Sequence, residues 1–260
     1  MTSPARVKNP CHKEARSFLL ILIIVPLIVT TLGCKKSAGN RGTAPTTQPL
    51  PAGTATVHGV VRLIGKPPAM AAIPNQPCHE GAGTLTEETV VTDGNGHVQN
   101  VIVYLEDAPA GGPVQGLAPV TLDQVNCRYL PHVVALQAGQ TLHVTTSDPT
   151  LHNVHGSCID NPAFNFALVE KGQSKDLTFQ TSERFPVRCD VHPWMKAWVA
   201  VFPNPWFAVT DKDGRYELRN VPAGAYTLVA WQEKYGSVKQ KITVQDGKVV
   251  EQNFEFKSGL

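Results

Sequence analysis

The stretch Arg188-Cys189-Asp190-Val191-His192-Pro193-Trp194-Met195 sets a thiol, an imidazole and a thioether three residues apart. A thiolate, an imidazole and a weak thioether are donors that suit copper, and so short a loop leaves them few alternative arrangements. A near-trigonal copper site needs a second imidazole, and His152, in Pro149-Thr150-Leu151-His152-Asn153-Val154-His155, is the candidate. The expected ligands are therefore His152, Cys189, His192 and Met195. With all four supplied by protein, no position stands open for a substrate, which argues against an enzyme at this metal.

Such a loop has to be held by strands. Arg184 to Arg188 is expected to run up to Cys189, and Met195 to Phe202 to run back. Strand signals also cover Val120 to Arg128, His132 to Gln137, Thr141 to Thr146 (with Ala138-Gly139 as the turn) and Lys175 to Gln180. Upstream, Thr56 to Leu63 and Asn100 to Glu106 alternate or are β-branched, with the turn residues Asp93-Gly94-Asn95-Gly96 between them. Downstream, the Asp213-Gly214 turn precedes Tyr216 and Leu218, and Pro222-Ala223-Gly224 precedes Tyr226, Leu228 and Ala230. That is the pattern of a small antiparallel sandwich. With 21 Pro, 21 Gly and few helix-period patterns after the first few dozen residues, the chain is expected to be all-β.

Cys-x-x-His-x-x-Met with Pro-aromatic before the Met, combined with His152-Asn153 after Ser147-Asp148-Pro149 and the strand pair around Pro131 to Thr141, resembles the cupredoxin (type 1 blue copper, amicyanin- and plastocyanin-like) family over roughly residues 117–203. The resemblance implies a Greek-key β-sandwich, one type 1 copper and single-electron exchange with a redox partner protein. It carries the ligands over as His152, Cys189, His192 and Met195. Asn153 and Asp190 are expected to pin the loop, and Pro193 and Trp194 to flank an exposed edge of His192. Asp190 stands where the family often has Thr or Ser, and a carboxylate there favours Cu(II). Val191 replaces a Pro common in the family.

Residues Trp206 to Phe256 resemble the carboxypeptidase-regulatory-like (transthyretin-like) β-sandwich, and also the small β-domain of rhamnogalacturonan lyases. Such modules begin with strands like Val57 to Val61 and Val101 to Leu105, which here lie upstream. Residues 55–112 and 204–260 are therefore expected to form one split sandwich around 117–203. The alternative is an N-terminal β segment followed by two sequential domains.

The N-terminus reads as an export signal: basic residues through Arg16, an apolar run from Phe18 to Val29, then Thr31-Leu32-Gly33-Cys34. This ending resembles a bacterial lipobox and implies a signal peptide over 1–33, lipidation of Cys34 and a lipoprotein tethered to the cell or outer membrane, facing the periplasm or exterior. Residues 34–54, rich in Pro, Thr, Gly and Ala, read as a flexible linker. The net charge of +2 includes a surplus of three positive charges in the first 33 residues (Arg6, Lys8, Lys13 and Arg16 against Glu14), so the remainder is at −1. No basic cluster points to nucleic acid.

Apart from Cys11 and Cys34, the cysteines are Cys78, Cys127, Cys158 and Cys189. A Cys78–Cys127 disulfide is expected, leaving Cys158 unpaired. A Cys158–Cys189 bridge would abolish the copper site. His79, His132, His143 and His155 are read as packing, surface or loop-capping residues. Two other functions compete with electron transfer: copper binding without a redox role, for which Met/His-rich tracts are missing, and carbohydrate or protein binding by the terminal sandwich, for which no clustered aromatic platform is seen.

Overall fold

The computed structural model of the chain describes residues 53–79, 82–112 and 116–259. The expected signal segment, Cys34 and the linker through residue 52 lie outside the described residues. The first described segment forms β1 (Ala55–Ile64), β2 (Val91–Thr92), β3 (Val98–Gln99) and β4 (Ile102–Leu105). The central segment adds β5 (Val120–Val125), β6 (Arg128–Leu130), β7 (Val133–Gln137), β8 (Thr141–Thr146) and β9 (His152–Gly156). It continues with β10 (Phe164–Leu168), β11 (Ser174–Thr178), β12 (Glu183–Arg188) and β13 (Lys196–Phe202). The last contains β14 (Phe207–Val209), β15 (Arg215–Val221), β16 (Gly224–Gln232), β17 (Gly236–Val244), β18 (Val249–Glu251) and β19 (Phe254–Lys257). The fold is all-β: the one helical element among the described residues is a 3-10 turn at Pro77–His79.

These strands make two sandwiches. In the first, β15-β1-β18, with β19 also on β1, faces β14-β4-β16-β17, so β1 and β4 sit inside sheets otherwise built from the C-terminal segment. Its core holds Val57, Val61, Val103, Trp206, Tyr216, Leu228 and Phe254. Strict alternation of buried and less buried residues along β1 follows from the two-residue period of a strand with one face on a core. In the second sandwich, β10-β9-β12-β13-β7 faces β11-β8-β5-β6. Leu122, Leu136, Leu142, Val154, Phe185 and Val199 fill it, and Cys189 and Met195 lie at one end of this core. Gly156 on β9 leaves room for the Phe164 ring, since a Cβ there would meet ring atoms at 2.2 Å.

The two sandwiches share a third apolar cluster of Ile102, Val133, Ala200, Phe202 and Trp231, flanked by Tyr104, Trp198 and Phe207. Strands β13 and β16 each serve two cores: Ala197, Val199 and Val201 face the central core while Ala200 and Phe202 face the junction. Leu228 and Ala230 face the terminal core and Trp231 the junction. This is why both strands read as nearly continuous apolar runs rather than alternating ones.

The structure departs from the sequence expectation at Val120 to Arg128. The expected single strand is a hairpin, β5–β6, turned at Asn126 and Cys127, whose φ values of 52° and 51° lie in the left-handed region. Turns with both central residues left-handed match the twist of paired strands and favour Asn or Gly, so Cys127 stands at a position costly for a side chain.

Candidate metal centre

The loop from Cys189 to Met195 closes the β12–β13 hairpin, in which Arg188 pairs with Lys196. Two backbone bonds tighten it: the Cys189 N–H donates to the Met195 carbonyl at 3.1 Å and the Met195 N–H to the His192 carbonyl at 2.9 Å. On its other side β12 pairs with β9, Arg188 opposite His155, which brings the start of β9, at His152, alongside the loop. Tyr129, on β6 and 1% exposed, ties these strands together: its hydroxyl donates to the Asn153 carbonyl at 2.5 Å, with the Arg188 carbonyl at 3.3 Å.

The structure brings together three of the four expected ligands through their donor atoms. His152 Nδ1 lies 3.1 Å from His192 Nδ1, and Cys189 Sγ lies 3.6 Å from His192 Nδ1. Bonds of about 2.0–2.1 Å to nitrogen and about 2.3 Å to sulfur, at angles of about 100–120°, set N···N near ~3.1–3.6 Å and N···S near ~3.3–3.8 Å around one ion. The donor set thus fits a single soft-to-borderline metal. Met195 is buried (1% exposed) in the same cluster as Cys189.

Each donor is held by neighbours. His152 is fully buried, and its Nε2 bonds Asp148 Oδ2 at 2.9 Å, which directs the lone pair of the neutral ring at Nδ1 towards the other donors. The same carboxylate accepts the backbone N–H groups of Asn126 (2.7 Å) and Cys127 (2.8 Å). Burial pushes the His152 pKa down, but bonds to Asp148 and Cys189 outweigh it and raise it to about 9. Burial acts to raise the Asp148 carboxyl, and its donors hold it below its ordinary value. The Cys189 thiol is likewise raised by burial, yet His152 and the backbone N–H groups of Asn153, His192 and Val191 bring it below the ordinary value. Burial, followed by the charges of His152 and His79, lowers His192. Without metal the site therefore keeps a proton on His152 and a sulfur inclined to ionise. A neutral ring is what a metal needs, so metal and proton compete for one position.

Asn153 and Asp190 are joined by two hydrogen bonds, Asn153 Nδ2 to Asp190 Oδ2 at 2.9 Å and the Asp190 N–H to Asn153 Oδ1. His155 is exposed and pairs with Asp190 at 3.2 Å, away from the donors. His132 is buried against Glu233 (2.6 Å), and His143 lies on the surface with Asp176. Cys78 and Cys127 form a disulfide, while Cys158 and Cys189 are both free, so no bridge removes the Cys189 thiol. Burial and Glu183 push Cys158 up to about 12, which keeps it a thiol.

His192 itself is half-buried. Pro193 is exposed, but Trp194 is half-buried, its ring 5.4 Å from that of His192 and its Nε1 donating to the Cys127 carbonyl at 3.1 Å. Cys127 Sγ lies 3.7 Å from His192 Nε2. Although Cys127, His152 and His192 also cluster closely, the Cys127 sulfur is committed to the disulfide, which leaves Cys189 as the free thiol beside the two imidazoles. Asp148 is the site residue that sequence reasoning missed. Its signal was an acidic residue four positions before a candidate ligand histidine, read there only as part of a turn.

Residues 195–257 match the family described as "Carboxypeptidase regulatory-like domain". No curated protein matches the chain. Among solved structures, the chain is similar to a Cu-containing nitrite reductase from Thermus scotoductus SA-01 (20% identity, TM-score 0.32), covering 37% of this chain and 25% of that one. An amicyanin variant in its Cu(I) form matches at 19% identity and TM-score 0.30, over 38% of this chain and 98% of its own. A purple cupredoxin from Nitrosopumilus maritimus matches at 21% and 0.29, over 33% and 100%. The chain spans a quarter of the nitrite reductase.

Proposed function

We propose that this chain is a type 1 copper protein that carries single electrons between redox partners and is not itself an enzyme. The observation that supports this best is the convergence of His152 Nδ1, His192 Nδ1 and Cys189 Sγ at 3.1 and 3.6 Å, with His152 oriented by a buried carboxylate. Copper bound by these donors and Met195 supplies a one-electron couple. The protein's part is to keep the donors fixed in both oxidation states: the closed loop holds Cys189 and His192, Asp148 fixes the His152 ring, and the Asn153–Asp190 pair ties the loop to β9. The free thiol of Cys189, 3% exposed, is shielded from solvent until metal takes it.

The reading extends to place and partner. The export signal and the lipobox-like Leu32-Gly33-Cys34 support a lipid-anchored protein outside the cytoplasm, and exposed Leu151, Val191 and Pro193 around the loop support docking of a redox protein there. The test is to add Cu(II) to the metal-free full chain. An intense visible thiolate-to-copper band that is absent in Cys189→Ser supports the reading. A colourless wild-type protein with a free Cys189 thiol would sink it.

A further inference from the structure

Next to the proposed copper centre lies a second group of soft donors that it does not use. Ligand atoms of Cys78, His79 and Cys127 all fall within 4.8 Å of one another. Cys78 and Cys127 are joined as a disulfide with a Cα–Cα separation of 5.9 Å. His79 is 4% exposed, and its Nε2 is buried with no hydrogen-bond partner among the described residues. Its Nδ1 accepts the Gln76 N–H only at 3.3 Å. A buried imidazole nitrogen without a partner is costly, and here it lies on a residue clustered with two sulfurs.

We propose that Cys78, Cys127 and His79 form a second, redox-gated site for Cu(I). As a disulfide the pair is closed to metal. A dithiol reductant opens it by exchange: its two thiols become a disulfide, the Cys78–Cys127 bond breaks, and each protein sulfur leaves as a thiol. Binding of Cu(I) to the dithiol then releases up to two protons, and His79 completes a two-sulfur, one-nitrogen set that suits a soft monovalent ion. Coordination through Nε2 moves the ring proton to Nδ1, and the long Gln76 contact yields.

Reduction does not require the sulfurs to scatter. Asp148 holds the Asn126-Cys127 turn through two backbone N–H groups, and Trp194 Nε1 holds the Cys127 carbonyl. On the other side His79 packs edge-on against Trp194, with ring centroids 5.9 Å apart. The two sites are neighbours: Cys127 Sγ is 3.7 Å from His192 Nε2, while His192 Nδ1 faces Cys189. A thiolate or its metal at Cys127 thus touches the same imidazole that would hold the first copper.

The experiment uses the full chain, oxidised or reduced with a phosphine that is then removed, and titrates Cu(I) anaerobically against a chromophoric chelator. Reduction should add about one equivalent of tightly bound Cu(I), and that equivalent should be lost in both Cys78→Ser and His79→Ala. Reduced Cys189→Ser, lacking the first site, should still bind about one equivalent, which separates this proposal from the copper-carrier reading. Equal stoichiometry before and after reduction, or an added equivalent that survives His79→Ala in protein with native far-UV circular dichroism, overturns the proposal. Zn(II) that displaces Cu(I) from the added site overturns the choice of ion.

Discussion

Asp148 ties His152, a candidate donor, to the β5–β6 hairpin beside it, so Asp148→Asn is a demanding perturbation. Its carboxylate, 5% exposed, accepts three bonds, from His152 Nε2 at 2.9 Å, Asn126 N–H at 2.7 Å and Cys127 N–H at 2.8 Å. Asparagine preserves the shape but offers one accepting oxygen, and its amide must point a donor at one of three donors. Hydrogen bonds to a charged group contribute about 1.5–3 kcal/mol each, and removing one member of a buried pair costs about 3–5 kcal/mol. Since Asn keeps part of the set, the expected loss is about 2–4 kcal/mol, read as a lower urea midpoint of the metal-free chain at unchanged slope. Copper affinity should fall about 10–100-fold, because the His152 ring is no longer held in one tautomer. Asp246→Asn, at an exposed carboxylate, is the control and should change stability by less than about 0.5 kcal/mol. If Asp148→Asn matches that control in both stability and copper affinity, the claim that Asp148 organises the site is refuted.

Other perturbations probe the rest of the account. His152 has a folded pKa raised from 6.5 to about 9, so its stabilising bonds are fully present below pH 6.5 and lost as pH rises to about 9. The melting temperature of the metal-free chain should fall across that window while copper affinity rises, because metal must displace the same proton. Glu233, 7% exposed, bonds His132 Nε2 at 2.6 Å, Trp198 Nε1 at 2.8 Å and Lys196 Nζ at 3.3 Å across the junction of the sandwiches. Glu233→Ala leaves the His132 and Trp198 ring nitrogens without that partner, while Lys196 keeps its bond to Thr89 Oγ1 at 2.7 Å, and should cost about 3–5 kcal/mol in urea denaturation. Met195→Leu keeps core volume and should cost less than about 1.5 kcal/mol. It also removes the proposed axial donor, so on the copper reading the potential measured by voltammetry should rise.

The juxtaposition of the candidate donors was legible because these residues are close in sequence or mark strand ends. Cys189, His192 and Met195 share one seven-residue loop, and His152 opens β9 beside it. The partners of those donors were less legible. Asp148 looks like turn chemistry in Ser147-Asp148-Pro149, and only the fold shows its carboxylate reaching both His152 and the Asn126-Cys127 turn. That turn was read through as strand because Val120 to Arg128 lacks Gly or Pro, and nothing local signals that Asp148, 21 residues away, accepts the Cys127 N–H. The strands β9 and β10 escaped notice because His152 to Gly156 is short and polar and Phe164 to Leu168 carries Asn165. The shared junction was hinted at by Trp198 to Phe202 and Leu228 to Trp231, apolar on successive residues, since strands covered on both faces lose their alternation.

The central claim, that one copper is held by a thiolate and two imidazoles, is tested most directly by X-ray absorption at the copper edge of the full chain loaded with one equivalent of Cu(II). A short sulfur shell together with two nitrogen neighbours is expected, with loss of the sulfur shell in Cys189→Ser. A wild-type spectrum with only nitrogen and oxygen neighbours, or a sulfur shell that persists in Cys189→Ser, would contradict it.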